Sequence, residues 1–439
     1  MTIHDSSRRD FLKSTAAGAL TPYFLTGAKP EAHAFAAKSD RHTIGCIGLG
    51  FRWKQIVGPT RAFGDVAAVC DVDSQRAEAG KKIVGEKASV YGDYRRILDR
   101  KDIDVVTIVT PDHWHTKMAI EAMQAGKDVY CEKPLTLTID EGKQIIKVLK
   151  ETGRVFQVGT QQRSEMGLNF LTAVAMVKEG RLGKIKKVQC ATGGSKPSGP
   201  LKKVEKPDHL DWKMWQGQAP LADYHPRRLH YEFRYWFEYS GGNMTDWGVH
   251  HVDIAQWALG MDHSGPLSVE AQSVTLPVPL VHGMPTRGNA YNTATEFSVK
   301  AMFPGGVKMI IRHDTDNGIL FEGDKGRIFV GRGRLSGKPV EQLKENPLPA
   351  DVITKLYKGK KPGNHLGNFF ECIKTRKQPI SDVYTHHRSI TTCHLANIAI
   401  RLGRKVRWDA KAQQIIGDKE ANAWLRREQR KGYEINVNI

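Results

Sequence analysis

A lysine, a carboxylate and an imidazole stand out in this chain at positions 133, 246 and 250. Lys133 lies in Gly126-Lys127-Asp128-Val129-Tyr130-Cys131-Glu132-Lys133-Pro134-Leu135, where a short apolar run, Val129 to Cys131, meets Glu132, Lys133 and a proline. Proline cannot donate to a strand ladder, and it disfavours helix at the residue before it. The ammonium is therefore expected at the C-terminal end of a strand, outside regular structure. Ligands of open parallel α/β sheets sit at that edge. A cation held there stabilises an alkoxide as it forms. The bland alternative is a solvated Glu-Lys turn; the position in the chain argues against it.

Asp246-Trp247-Gly248-Val249-His250-His251-Val252-Asp253 reads as helix, opened by Gly241-Gly242-Asn243 and continuing through Trp257. Asp246, His250 and Asp253 are spaced i, i+4, i+7 and share one face. A carboxylate one turn from an imidazole can orient the ring and stabilise its cation. Asp246 is thus expected to orient His250. The ordinary alternative is a capping Asp and a packed His.

The elements that must position these groups begin at Thr43. Thr43–Ile47, Val66–Cys70, Val105–Val109, Val129–Cys131 and Val155–Val158 read as strands. Helical segments alternate with them: Arg52–Phe63, one after Ser74, one after Asp93, His113–Ala125 and Ile139–Glu151. That alternation predicts an α/β, doubly wound parallel sheet of six strands over residues 41–160. Gly48-Leu49-Gly50 after the first strand lets a pyrophosphate approach backbone amides at a helix start, where Phe51 and Arg52 follow. The third glycine of that fingerprint falls at Trp53, a departure that alters helix–strand packing. Asp71 closes the second strand about 20 residues later, as ribose recognition requires. A carboxylate there accepts from a 2′-hydroxyl and repels a 2′-phosphate, so NAD is preferred to NADP; Arg76 is the residue that argues the other way. Asp73 and Ser74 are better placed than Asp71 to cap the next helix. Thr110-Pro111-Asp112-His113-Trp114-His115 lies on the same edge, with His115 expected near cofactor ribose. His113 and His115 lack a third ligand at sensible spacing, so no metal is expected.

These residues together resemble the Gfo/Idh/MocA oxidoreductases: Gly48-x-Gly50, Asp71, Thr110-Pro111-x-x-x-His115, Glu132-Lys133-Pro134 and Asp246 through Asp253. The resemblance covers nearly all of the chain beyond residue 41. It implies a Rossmann domain that binds a nicotinamide dinucleotide, and a second α+β domain with an open, mainly antiparallel sheet that carries the substrate site. It also implies that Lys133, Asp246 and His250 act at a substrate carbinol. Thr110, Pro111, Glu132 and Lys133 become cofactor contacts with Gly48, Gly50, Phe51, Arg52, Asp71 and His115. A homodimer or homotetramer is implied as well. Exported members that act as redox-neutral glycoside hydrolases resemble this chain in plan. They carry Asn-Gln-Gly-x-His where this chain has Asp246-Trp247-Gly248-x-His250.

Residues 161–439 agree by themselves. After a helical Leu168–Glu179, strand-like runs dominate: Ile185–Ala191, Val269–Leu276, Thr295–Met302, Val307–Ile311, Gly318–Glu322 and Arg327–Val330. Strands without intervening helices predict an antiparallel sheet with one covered face. His365–Lys374 and Arg388–Leu402 read as helices, and the charged tail from Ala410 is expected to reach a neighbour. Gln161, Gln162 and Arg163 follow the sixth strand and are expected to line the cleft. Aromatics between Trp212 and Tyr239, mixed with hydrogen-bonding groups, suit a sugar. His230, Tyr231 and Arg234 are singled out there, and Asp253 is added as a substrate contact.

Residues 1–36 read as a leader. Ser7-Arg8-Arg9-Asp10-Phe11-Leu12-Lys13, a weakly apolar stretch and Ala34-Phe35-Ala36 resemble a twin-arginine export signal, which predicts a periplasmic protein. The net charge of +19 is spread over 439 residues without a nucleic-acid module, and no apolar run is long enough to span a bilayer. Six cysteines without a Cys-x-x-Cys pair are expected as buried thiols. The expected partner is a small sugar or glycoside. A sugar or polyol oxidoreductase is the first expectation, a redox-neutral glycosidase the second, and a sugar-binding module with a locked cofactor the third.

Overall fold

The computed structural model describes residues 41–439, so the expected leader, residues 1–36, lies outside the described residues. Six strands form a wholly parallel sheet: β1 (His42–Ile47), β2 (Gly64–Cys70), β3 (Ser89–Tyr91), β4 (Val105–Ile108), β5 (Asp128–Cys131) and β6 (Phe156–Val158). Their order is β3-β2-β1-β4-β5-β6. The order reverses between β1 and β4, the switch point where such sheets take ligands. Ile44, Cys46, Val106, Val129 and Tyr130 are fully buried, as strands covered on both faces require. The crossover between β3 and β4 holds only a four-residue helix, Arg95–Leu98. Two of the other crossover helices are longer and capped. Asp73 accepts from the amides of Gln75 and Arg76 to start Ser74–Val84, and a Thr138/Glu141 capping box starts Ile139–Thr152.

The second sheet has nine strands. In spatial order they are Arg334–Ser336, Arg327–Gly331, Gly318–Gly323, Ile185–Ala191, Lys308–Arg312, Glu296–Met302, Ser268–Thr275, Val406–Asp409 and Gln414–Ile415. Only Ile185–Ala191 and Lys308–Arg312 pair in parallel; the other pairs are antiparallel. Phe297, Val299 and Ala301 point inward and are buried. They share an apolar cluster with residues of the helices Asn169–Lys178, Gly248–Ala258 and Val383–Leu402. The opposite face is mixed: it carries Ile310, Leu320 and Phe329, half-buried, and ion pairs such as Lys300–Glu270 at 3.0 Å and Lys187–Glu322 at 3.4 Å. The fold is thus the expected Rossmann sheet followed by a domain with an open, mainly antiparallel sheet.

Two later segments return to the first domain. The helix His365–Thr375 places Leu366, Phe369 and Phe370 in one cluster with Ile44, Val105 and Tyr130. The C-terminal tail does not extend outward, as expected, but closes on its own chain. Ile435 joins Trp114, Met118 and Ile145 in an apolar cluster. Lys117 Nζ donates to the Glu434 carbonyl at 2.8 Å, and Gln144 Nε2 to the Val437 carbonyl at 2.8 Å. Apolar side chains between the charges give the tail a seat on its own surface. All six cysteines are buried and unpaired. Among the described residues no helix is long and apolar enough to cross a membrane.

Candidate active site

The C-terminal edge of the parallel strands carries the expected residues. Gly48, after β1, has φ +82°, and a Cβ there would sit 2.7 Å from the Val109 carbonyl, so only glycine lets the turn pass this close. The helix Phe51–Arg61 then starts at Gly50 with no side-chain cap and no acidic residue in its first turn. Its orphan amides and positive end therefore remain for an anion. Trp53, in place of the third glycine, is buried beside Leu49. Gly80 on the facing helix makes the room: a Cβ there would lie 2.6 Å from Leu49 Cδ1 and 3.6 Å from the Trp53 ring. The close helix contact survives by moving the glycine to the partner helix. Asp71, half-buried, directly follows β2; its Oδ2 accepts from the Leu49 amide at 2.8 Å and its Oδ1 from the Asp73 amide at 3.0 Å. A glycine turn, an uncapped helix start and a carboxylate on the next strand fit a dinucleotide.

Glu132 and Lys133 follow β5. Glu132 Oε1 accepts from Arg52 Nε at 2.9 Å, from the Tyr130 hydroxyl at 3.1 Å and from Gln161 Nε2 at 3.1 Å. Lys133 reaches the other domain, where its Nζ lies 2.5 Å from Asp246 Oδ1 and 2.9 Å from the Asp246 carbonyl. Arg234 Nε lies 3.0 Å from Asp246 Oδ2 and the guanidinium stacks on the ring of Tyr231, 4.3 Å from its centroid. Burial pushes the Asp246 carboxyl up, but Lys133 and Arg234 together pull it down to about 2.

Both Asp246 oxygens are thus engaged with cations. The expectation that Asp246 orients His250 is corrected: His250 Nδ1 is buried without a hydrogen-bond partner. Burial, then the Lys133 and Arg332 charges, hold the His250 imidazole well below its ordinary range, so it is neutral. Asp246 ends the short helix Asn243–Asp246 and His250 lies in the next one, Gly248–Ala258; two cations outcompete a neutral ring for the carboxylate.

Four other expectations change. Arg163 is buried and binds Asp253 bidentately, at 2.6 and 2.9 Å, and also Asp262 at 2.9 Å. Asp253 also accepts from Ser389 Oγ at 2.8 Å. This is an interior ion pair, not a cleft lining. Gln162 is buried as well, with its Nε2 3.5 Å from His251 Nδ1. His230 is exposed, and the nearby charges that act on it are those of Arg76 and Asp73. His115 is buried with its ring nitrogens 2.6 Å from the Pro134 carbonyl and 2.8 Å from the Thr110 carbonyl. It ties two ligand-edge loops together instead of facing the cleft. Tyr231 is 60% exposed and open to a ligand.

The site also holds a residue not anticipated as a member. Arg332 stacks over the Trp247 ring at 4.5 Å, from the hairpin between Arg327–Gly331 and Arg334–Ser336. Gln161, expected to line the cleft, fixes Glu132. Among the described residues no cluster of His, Cys, Asp or Glu could hold a metal ion.

Residues 42–160 match a family model described as "Oxidoreductase family, NAD-binding Rossmann fold", and residues 196–435 one described as "Oxidoreductase family, C-terminal alpha/beta domain". The chain belongs to the Gfo/Idh/MocA oxidoreductase family. Its first domain is the family's NAD-binding Rossmann domain. The alpha-N-acetylgalactosaminidase of Shewanella oneidensis is 31% identical over 210 residues, covering 42% of this chain and 45% of that protein. A glycosyl hydrolase family 109 protein of Shewanella pealeana is 32% identical over 206 residues, 41% of this chain and 44% of its own. The chain thus spans less than half the length of these curated relatives. The WlbA dehydrogenase of Bordetella pertussis, solved with NADH and UDP-GlcNAcA, shares the fold with a TM-score of 0.61 at 19% identity, over 84% of this chain and 99% of that one.

Proposed function

We propose that this family member moves hydride between a sugar or polyol carbinol and a tightly bound NAD, with Lys133, Asp246 and His250 as its catalytic residues. The observation that carries the reading is the Lys133–Asp246 bond, which joins the ligand edge of the parallel sheet to the short helix Asn243–Asp246 that leads into the one bearing His250. Gly48, Gly50, Asp71, Thr110 and Glu132 would hold the dinucleotide, which when bound supplies a hydride acceptor. The chain itself handles charge and proton. Neutral His250 accepts the hydroxyl proton. The Lys133 ammonium, fixed on Asp246, donates to the same oxygen and stabilises its negative charge. Asp246 positions Lys133 rather than His250. Tyr231 offers an exposed ring to the apolar face of a sugar. Asp71 supports NAD over NADP, because a 2′-phosphate would meet its carboxylate.

A second reading, redox-neutral glycoside hydrolysis, is supported by the Shewanella relatives. A ring carbinol is oxidised, the neighbouring C–H becomes acidic and the aglycone leaves. Water then adds and the carbonyl is reduced back, so the sum is hydrolysis.

Export belongs to the same proposal, since either cycle regenerates its cofactor in a periplasm without a soluble NAD pool. Self-association through the open face of the nine-stranded sheet completes it. The test is to purify the protein without added cofactor, record nicotinamide absorbance, and add sugars and aryl glycosides. A change in the reduced band upholds oxidoreduction. Aglycone release without net redox change moves the assignment to the hydrolase, and no response to any sugar removes both.

A further inference from the structure

Arg332 is set apart from the other cations of the cleft by what it lacks. Arg52 meets Glu132 at 2.9 Å, Lys133 meets Asp246 at 2.5 Å and Arg234 meets Asp246 at 3.0 Å. Among the described residues no carboxylate lies within salt-bridge distance of Arg332, and its Nε is buried without an acceptor. A half-buried guanidinium with an unsatisfied N–H costs stability unless something else takes the bond. Burial, then the nearby Arg52 charge, already press its pKa downward.

The residue is not adrift. Gly331 pairs with Arg334, so Arg332 and Gly333 form a two-residue hairpin loop. The guanidinium lies on the Trp247 ring, and the Asn169 side chain donates to the Arg332 carbonyl at 3.5 Å. Trp247 sits between Asp246 and His250 in the chain, and the Arg332 charge acts on His250. A planar fork of donors is thus held beside the proposed proton acceptor, on the second-domain side. The dinucleotide cradle at Gly48–Gly50 belongs to the first domain.

We propose that the substrate is an anionic sugar whose carboxylate or phosphate oxygens are bound by Arg332. This rests on the sugar oxidoreductase reading and specifies its substrate class. Guanidinium and oxyanion match in planar, bidentate geometry, and the bond satisfies the buried Nε–H. A lysine at 332 would keep the charge and lose the fork.

Binding tests the inference separately from turnover. Calorimetry on the NAD-loaded full chain compares glucuronate and galacturonate, then glucose 6-phosphate and galactose 6-phosphate, with glucose and galactose. At least one anionic series binds about tenfold or more tighter than the neutral sugars, as a charge-assisted bond implies; whichever series does so identifies the anion. In Arg332→Gln that preference disappears, in Arg332→Lys it is reduced, and NAD affinity stays the same in both. Equal binding of neutral and anionic sugars by the unaltered protein overturns the proposal. So does a preference that survives in Arg332→Gln, or a loss of NAD affinity there, which would assign the guanidinium to the cofactor. Binding preference without any absorbance change upholds the anion site and fails the oxidoreductase reading instead.

Discussion

Lys133 and Asp246 lie 113 positions apart in the chain, yet the Lys133 Nζ bonds both the carboxylate and the carbonyl of Asp246. The contact crosses from the first domain to the second, so substrate placed against one domain meets a cation from the other. Lys133→Ala is expected to lower kcat by about a thousandfold, within the range for loss of a group acting on the transferred proton. NAD affinity, read by fluorescence titration, stays within about a factor of three, an effect below about 0.7 kcal/mol. A variant with undiminished kcat would remove Lys133 from the mechanism.

Acid stability follows from the buried histidines. Burial lowers His113, His386 and His394 to about 3 and His251, His365 and His387 to about 4, with His250 also well below its ordinary value. The unfolded chain titrates near 6.5 and binds more protons than the folded one below that pH, so folding weakens as pH falls. Each such histidine removes about 1.4 kcal/mol per pH unit from about pH 6.5 down to its folded value. Asp246 adds to this lower down: its contribution is whole above about pH 4 and is lost as pH falls through about 2. Tm should therefore drop steeply below pH 6.5 in scanning calorimetry. A Tm constant from pH 7 to 5 would contradict these assignments.

The Arg163–Asp253 pair supports the interior rather than the reaction. Asp253→Ala leaves a buried guanidinium with Asp262 alone and is expected to cost about 3 kcal/mol in urea unfolding. KM for the sugar remains that of the unaltered enzyme. A raised KM with unchanged stability would return Asp253 to the cleft.

The strand–helix alternation and the glycine turn made the first domain legible, because continuous apolar strands and capped helices leave few alternatives. β3 was counted among the six strands but could not be given bounds: Ser89-Val90-Tyr91 is three residues long and has no apolar run to mark it. The place of Lys133 at the ligand edge was legible through the proline after it. The partner of Asp246 was not, since helical periodicity says which residues share a face but not which cation arrives from another element. For the same reason Asp253, on the expected face, proved to be interior. Arg332 carries no local signal beyond its glycine neighbours; only the hairpin brings it to Trp247.

Residues 1–36 give a prediction of their own. Replacing the pair together, Arg8→Lys and Arg9→Lys, is expected to leave the protein in the cytoplasmic fraction, whereas the unaltered protein is recovered from the periplasm. Equal periplasmic recovery of both would end the twin-arginine reading.

Deleting residues 429–439 should lower stability by about 3 kcal/mol, the cost of exposing Ile435 and the side chains it covers. Chemical denaturation of the shortened chain measures it, and an unchanged midpoint would make the tail an ornament.

The docking of that tail also sets an order of events in synthesis. Lys117 and Glu434 are separated by 317 positions, so synthesis must run past residue 434 before the nucleotide fold acquires its last layer. A nascent chain holds that patch bare until then, open to chaperones, and a chain cut before Ile435 never covers it. The surface of the first domain thus reports that synthesis has passed Ile435.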